Sequence, residues 1–340
     1  MIQHQSLFTV ILAAGKGTRM KSDMAKVLHQ VFFVPMIHHV LTAVEELHPA
    51  KSIVIVGHQR EAVMQALLEY DVEFVIQEEQ LGTGHAVLCA EQAIREKDSV
   101  VMILCGDTPL IKTDTLQSMY QQHLDHSSVC TLMTTILTDP TNYGRIITDD
   151  SGKVTAIVEE KDASSEQKKI KEINAGIYCV NSNFLFETLT KVGTDNSQGE
   201  VYLTDIVSIA VAAGFNVEKF TNPCAQDVLG VNSRIELALA HKEIQRRRNY
   251  ELMIQGVTIY NPDTTAISHT VPIGRDTILH AGVRISGKSS IGASCLIEDG
   301  AILNNCDVAD HVTVGAYSYL EGITCAAETV IAPHSIKRKN

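Results

Sequence analysis

Residues 6–20 read SLFTVILAAGKGTRM. An apolar run of strand length, residues 6–12, ends in Ala-Ala-Gly and passes directly into a small, basic, Gly-rich turn. Small residues let a backbone approach a phosphate, and successive N–H groups form a concave anion site. Lys16, Arg19 and, slightly further on, Lys26 add positive charge. A Walker A loop is excluded: it needs four residues between its first Gly and its Gly-Lys, and the order here is Gly-Lys-Gly-Thr. A dinucleotide fingerprint is excluded too, because Met20 stands where the third Gly belongs. An ordinary structural bend is the competing account of the turn taken alone.

Downstream, apolar segments alternate in type. Residues 36–47 have helical spacing, with Ile37, Val40, Leu41, Val44 and Leu47 on one face. SIVIV (52–56) reads as a buried strand, 61–68 as a helix, 72–76 as a strand, 84–96 as a helix and 99–104 as a strand. This alternation predicts βαβ units and a mostly parallel sheet, an α/β fold. Strands are also expected at 129–136, 145–148, 153–158 and 176–180, and a helix at 204–213. Ser233 is a plausible N-cap for a helix running to about Ile254, whose Arg246-Arg247-Arg248 reads as a solvated face.

From Ile267 the period changes. Ile267, Ile273, Leu279, Ile285, Ile291, Ile297 and Leu303 are six residues apart; after a one-residue slip, Ile302, Val308, Val314 and Leu320 continue at six. No helix or simple hairpin has that period, whereas a hexapeptide β-helix does. The aliphatic-Gly steps at 273–274, 291–292 and 314–315 are expected to ease its corners. A short stack has open edges and favours self-association.

The length of 340 residues suits two or three domains, and 45% hydrophobic against 20% charged residues excludes extensive disorder. A net charge of −12 argues against nucleic acid or an anionic membrane as partner, and no run is long enough to span a bilayer. No Lys or Arg precedes residues 7–14, so that run is read as a strand, not a signal-peptide core. Eight cysteines without a C-x-x-C pair fit reduced thiols in the cytoplasm. His29, His38, His39, His48 and His58 are scattered and read as surface histidines.

Two further motifs carry possible chemistry. Cys105-Gly106-Asp107 follows the strand at 99–104. A carboxylate at the C-terminal end of a parallel strand sits where open α/β sheets bind ligands, and it suits Mg2+ held together with phosphate oxygens. A plain Asp cap is the alternative. QEEQLGTGHA (77–86) opens a helix with Gly82 and Gly84, where Gln77 and backbone groups can read the edge of a base; a Gly-rich helix start is the alternative.

LAAGKGTRM, Lys26-Val27-Leu28, QLGTGHA, CGD, YGR (143–145), VEEKDA (158–163), INAG (173–176), QGE (198–200) and GVN (230–232) together resemble the bacterial N-acetylglucosamine-1-phosphate uridylyltransferases over residues 6 to about 320. That family is usually bifunctional, with a hexapeptide-repeat acetyltransferase part. The resemblance implies a Rossmann-like nucleotidyltransferase domain (1–233), a linker helix (234–255) and a truncated left-handed parallel β-helix (256–340). It implies that Leu12, Ala13, Ala14, Gly15, Gln77, Gly82, Thr83, Cys105 and Gly106 bind the nucleotide, with Gln77, Gly82 and Thr83 on uracil. Arg19, Lys26 and Asp107 are the implied catalytic residues, and Asp107 and Asn232 the implied Mg2+ ligands. Gly144, Glu159, Asn174 and Asn232 would hold the sugar. UTP and N-acetylglucosamine 1-phosphate are the implied substrates, and a homotrimer the implied assembly. Another sugar 1-phosphate, or a non-catalytic trimeric scaffold, are the alternatives.

The chain departs from the family pattern in three places near the site. It has Ala25 where Pro usually precedes the phosphate-binding Lys, Cys105 where Tyr is common, and Ala175 where Thr is common. His311 and His334 do not sit in the family's acetyltransferase pattern, so no acetyl transfer is expected.

Overall fold

The computed structural model describes residues 5–339, which fall into two compact units. The first comprises the chain through His29 and Pro35–Arg234; the second comprises Gln30–Val34 and the chain from Ile235 onward.

The first unit is built on a nine-stranded sheet. Strands β1 (Leu7–Ala13), β2 (Lys51–Val56), β3 (Glu73–Ile76) and β4 (Val100–Cys105) lie in the order β4-β1-β2-β3, all parallel. β1 and β4 are buried along nearly their whole length, as strands covered on both faces must be. Helix α1 (Met36–Glu45) covers one face with Ile37, Val40, Leu41 and Val44, the residues its spacing singles out. Helix α2 (Arg60–Ala66) contributes Val63 to the same layer. On the other face, α3 (Thr83–Leu88) contributes Ala86 and Val87.

Helix α3 is shorter than the expected 84–96: it ends at Leu88, and a separate 3-10 turn covers Glu91–Ala93. Helix α4 (Thr113–Asp125) has no counterpart in the sequence reading. Leu116, Met119 and His123 are buried and Tyr120 and Leu124 pack partly buried beside them, an i, i+3, i+4, i+7, i+8 face whose helical spacing the sequence does carry.

The sheet continues through β5 (Cys130–Ile136), β6 (Arg145–Thr148), β7 (Val154–Val158) and β8 (Glu172–Asn181). Here β8 runs antiparallel to both β4 and β5, and β6 and β7 form an antiparallel pair joined to β8. Helices α5 (Ser182–Leu189) and α6 (Asp205–Ala212) follow, and strand β9 (Val217–Thr221) closes the edge beside β5. The start of α5 is fixed by the Asn181 side chain, which accepts from the Phe184 N–H at 3.2 Å.

β1 has β2 on one side and β4 on the other, so the strand order reverses between β1 and β4. Open α/β sheets bind ligands at such a point, beyond the carboxyl ends of the strands. Leu12 and Cys105 are paired there, and Gly106 N–H donates to the Leu12 carbonyl at 2.9 Å.

The second unit opens with helix α7 (Arg234–Ile254) and continues as a coiled stack of short parallel strands in three sheets. Ile267, Ile285, Leu303 and Leu320 line one wall; Leu279, Ile297, Val314 and Ile331 another; Ile291, Val308 and Cys325 the third. The one-residue slip has a specific location. Leu303 points inward and Ile302 is 36% exposed, so the step from Leu303 to Val308 is five residues, not the six expected from Ile302. The corner at Asn304–Asn305 is one residue tighter, and Asn305 takes a left-handed φ of 53°.

The glycines of the aliphatic-Gly steps also act differently from expectation. Gly274, Gly292 and Gly315 have no positive φ; a Cβ on each would collide with backbone of the next coil at Ala293, Ala309 and Pro333. They permit close stacking and do not shape the corners.

Arg248 is not on a solvated face: it is buried, donates to the Val271 carbonyl at 2.6 Å and pairs with Glu251. Arg246 and Arg247 both pair with Glu243, whose carboxyl is held down at about 2, first by the Arg246 hydrogen bond. His29 is likewise buried, not on the surface, and burial together with the Arg234 charge lowers its pKa. No described helix is long and apolar enough to cross a membrane.

Candidate active site

A cleft of about 470 Å³ opens at the β1/β4 switch point. Its floor is Leu12, Ala13, Ala14 and Gly15, and Lys16, Gly17, Thr18, Arg19 and Lys26 rise along one side. Gln77, Gln80, Gly82, Thr83, Ala86 and Glu200 form the other wall, with Cys105, Asp107 and Asn232 at the end.

Gly15 carries no atom within 4 Å of where a Cβ would stand, so its backbone faces open space. Gly17 is required for shape. Its φ is +61°, and a Cβ there would lie 2.6 Å from Lys26 Cβ. The turn is therefore folded against Lys26, bringing the basic residues of two segments to one place.

Lys26 Nζ is ion-paired with Asp107 Oδ2 and donates to Asn232 Oδ1 at 2.6 Å. Arg19 Nη2 donates to the same Asn232 oxygen at 2.7 Å. Asn232 Nδ2 in turn donates to the Gly230 carbonyl at 3.0 Å, and Val231 N–H donates to the Asp107 carbonyl at 2.8 Å. Three distant segments thus hold two cations and two oxygen donors in one cluster. Within the described residues no group of three or more His, Cys, Asp or Glu forms a metal cage.

On the opposite wall, Gln77 is buried. Its Nε2 donates to the Gly82 carbonyl at 3.1 Å and lies 3.0 Å from His85 Nδ1. Gly82 has φ +112°, and a Cβ there would stand 2.5 Å from the Val201 carbonyl oxygen, a backbone atom that cannot swing aside. Thr83 Oγ1 accepts from Leu203 N–H at 3.2 Å. Gly82→Ala is therefore expected to destabilise the unit by about 1–3 kcal/mol through strain and overpacking. Thermal unfolding checks this, and an unchanged midpoint would show that the 199–203 segment yields.

Gly144, Glu159 and Asn174 do not line this cleft; they form a neighbouring cluster on β6, β7 and β8 and the turns beside them. Asn174 N–H donates to the Gly144 carbonyl at 2.9 Å, and Asn174 Nδ2 donates to Tyr178 Oη at 2.6 Å. A Cβ on Gly144 would lie 3.5 Å from both Glu159 carboxylate oxygens, so the glycine keeps that carboxylate approachable. Burial raises the Glu159 pKa, and the charges of Asp162 and Asp205 add to the effect. Cys105 links the two clusters: it lines the cleft, and its thiol reaches the Gly176 carbonyl at 3.6 Å. Burial pushes that thiol up to about 12, which keeps it neutral and non-nucleophilic. Gly106 is not a lining residue; it contributes through its bond to Leu12. Gln80 and Glu200 are lining residues to which the sequence reading gave no role, although both lie inside motifs it singled out.

Comparisons with known proteins agree with this architecture. A family model described as nucleotidyl transferase matches residues 8–242. The "Bifunctional protein GlmU" of Desulfotalea psychrophila is 54% identical over 331 residues, covering 97% of this chain and 98% of that protein. The proteins of the same name from Geotalea daltonii and Listeria monocytogenes are 46% and 44% identical, over 89% and 92% of this chain and 66% and 68% of theirs. The chain belongs to the nucleotidyl transferase family and, within it, to the GlmU proteins, and it is a nucleotidyltransferase of the UDP-N-acetylglucosamine pyrophosphorylase type.

Proposed function

We propose that the chain transfers a uridylyl group from UTP to N-acetylglucosamine 1-phosphate, releasing pyrophosphate. The observation that carries this reading is the convergence of Arg19 and Lys26 on Asn232 and Asp107, lining a Gly-floored cleft at the switch point. An oxygen of the sugar phosphate attacks the α-phosphorus, and the bond from that phosphorus to the bridging oxygen of the β-phosphate breaks. The nucleophile is already ionised, so no side chain has to remove a proton. The difficulty is electrostatic, because two polyanions must meet. Arg19 and Lys26 offset that repulsion and stabilise the charge gathering on the departing pyrophosphate. Gln77 has its amide nitrogen engaged with Gly82, which directs its carbonyl oxygen to the uracil edge. Glu159, Asn174 and the Gly144 backbone are the groups assigned to the sugar hydroxyls and acetamido group.

The donor set fits Mg2+. Asp107 and Asn232 present hard oxygens to one cationic position, and no soft ligand is involved. When bound, the ion supplies charge neutralisation at the phosphates. We assign it to Asp107 and Asn232.

The test is pyrophosphate release from UTP, with and without Mg2+, using N-acetylglucosamine, glucosamine and glucose 1-phosphates. Metal-dependent release with the acetylated sugar alone is expected. Release with none of them from folded protein would sink the assignment. The β-helix is the proposed assembly element, as a homotrimer: Ile302, Val330 and Ile336 expose aliphatic surface on it. Light scattering giving a monomeric mass would refute this.

For the described coils we propose no acetyl transfer. His311 and His334 stand on exposed left-handed corners with φ 59°, and His334 stacks on Tyr317 with ring centroids 5.7 Å apart. Thiol release from acetyl-CoA with glucosamine 1-phosphate above background would overturn that.

A further inference from the structure

We propose that Gln59 is a positioning residue for Lys26, taking the place of a backbone constraint that Ala25 does not supply. The proposal rests on the uridylyl-transfer reading for its kinetic consequence, though not for its structural one.

Gln59 is the residue before α2 and has a left-handed backbone, φ 52°. Its carbonyl is tied into the helix start, accepting from Ala62 and Val63 N–H at 3.0 and 3.2 Å. From that anchor its side chain reaches the loop ahead of Lys26. Gln59 Oε1 accepts from the Ala25 N–H at 2.7 Å, and Gln59 Nε2 donates to the Asp23 carbonyl. Both halves of the amide are used, on backbone groups either side of Met24. Ala25 is 1% exposed, so no solvent competes for its N–H.

Ala25 has φ −52°, inside the range that a proline ring fixes. A proline there would hold that angle without any donor. Here the same angle is held by a hydrogen bond from a side chain 34 positions away. The next residue is Lys26, which begins the 3-10 turn Lys26–Leu28 and reaches Asp107 and Asn232. The neighbouring His58 N–H donates to the Ala14 carbonyl at 3.1 Å. The two residues after Gly57 thus brace the Gly-rich floor and the Lys26 loop together.

The test is a cycle of Gln59→Ala, Ala25→Pro and the double variant. It is read by steady-state kinetics and by hydrogen exchange of the 21–29 segment. Gln59→Ala leaves a buried N–H unpaired and is expected to raise the KM for UTP about tenfold, with faster exchange at 21–29. Gln59→Glu keeps the acceptor but cannot donate to Asp23, and should fall between Gln59→Ala and wild type. Ala25→Pro alone is expected to be harmful, because the ring would press against Gln59 Oε1. In the Gln59→Ala background the same change should restore the KM to within about threefold of wild type, a reversal of sign that general destabilisation does not produce. Wild-type KM and exchange in Gln59→Ala, or failure of the proline change to rescue it, would refute the clamp. If the wild-type chain releases no pyrophosphate at all, the assigned reaction fails. The exchange arm then still decides the clamp: faster exchange in Gln59→Ala supports it, and unchanged exchange overturns it.

Discussion

Asp107→Ala is expected to lower kcat/KM for pyrophosphate release about a thousandfold, or about 4 kcal/mol, while the thermal midpoint shifts by only a few degrees. The asymmetry follows from where the carboxylate sits. Its backbone is fixed independently of its charge, by the Val231 N–H bond to its carbonyl and by the neighbouring Gly106 bond to Leu12. Removing the side chain therefore leaves the strand end in place. Lys26 keeps one oxygen partner, Asn232, and is 13% exposed, so the unpaired cation retains some contact with water. What is lost is the negative member of the cluster, which aims the Lys26 ammonium and is the proposed metal ligand. Asp107→Asn separates these roles from simple space filling. It keeps an oxygen in place without the charge, and should also lose at least about a hundredfold. Near-normal turnover in either variant would remove Asp107 from the chemistry.

The parts of this site legible in the sequence are those whose signal is local. The run 6–20 shows strand, turn and cations within one window, and they lie together in the fold. Asp107 is legible because strand ends are, and strand ends are where such sheets bind ligands. Asn232 is different. Nothing within its own segment points to a partner 125 positions earlier, and only motif resemblance placed it beside Asp107. Gln59 is out of reach for the same reason: its role is a side-chain to backbone contact across the fold. The β-helix shows the limit of periodicity. Ile302 and Leu303 are both aliphatic and adjacent, so hydropathy cannot say which turns inward, and coil stacking chose Leu303. Helix α4, by contrast, is legible: Leu116, Met119, Tyr120 and Leu124 fall at i, i+3, i+4 and i+8 and pack on the core.

Glu159→Gln should make the protein more stable at neutral pH and a poorer catalyst, and the pH dependence identifies the cause. Burial raises the Glu159 pKa above the ordinary 4.5, with Asp162 and Asp205 adding like charge. Below the unfolded value the carboxyl is protonated in both states and carries no ionisation penalty. As pH rises through the raised folded value, the native state must bear an ionised, poorly hydrated carboxylate that the unfolded chain hydrates freely, and stability falls. Gln bears no such charge. The thermal midpoints of Glu159→Gln and wild type should therefore coincide near pH 4 and diverge by pH 8, with the variant higher. Catalysis should move the other way. A carboxylate accepting sugar hydroxyls makes charge-assisted hydrogen bonds worth roughly 1.5–3 kcal/mol, so the KM for the sugar phosphate should rise about tenfold to a hundredfold. The KM for UTP should stay put, because Glu159 does not line the nucleotide cleft. A half-buried carboxylate kept at a cost to stability is expected where a ligand needs it, so equal midpoints at pH 8 together with an unchanged sugar-phosphate KM would take Glu159 out of the sugar site.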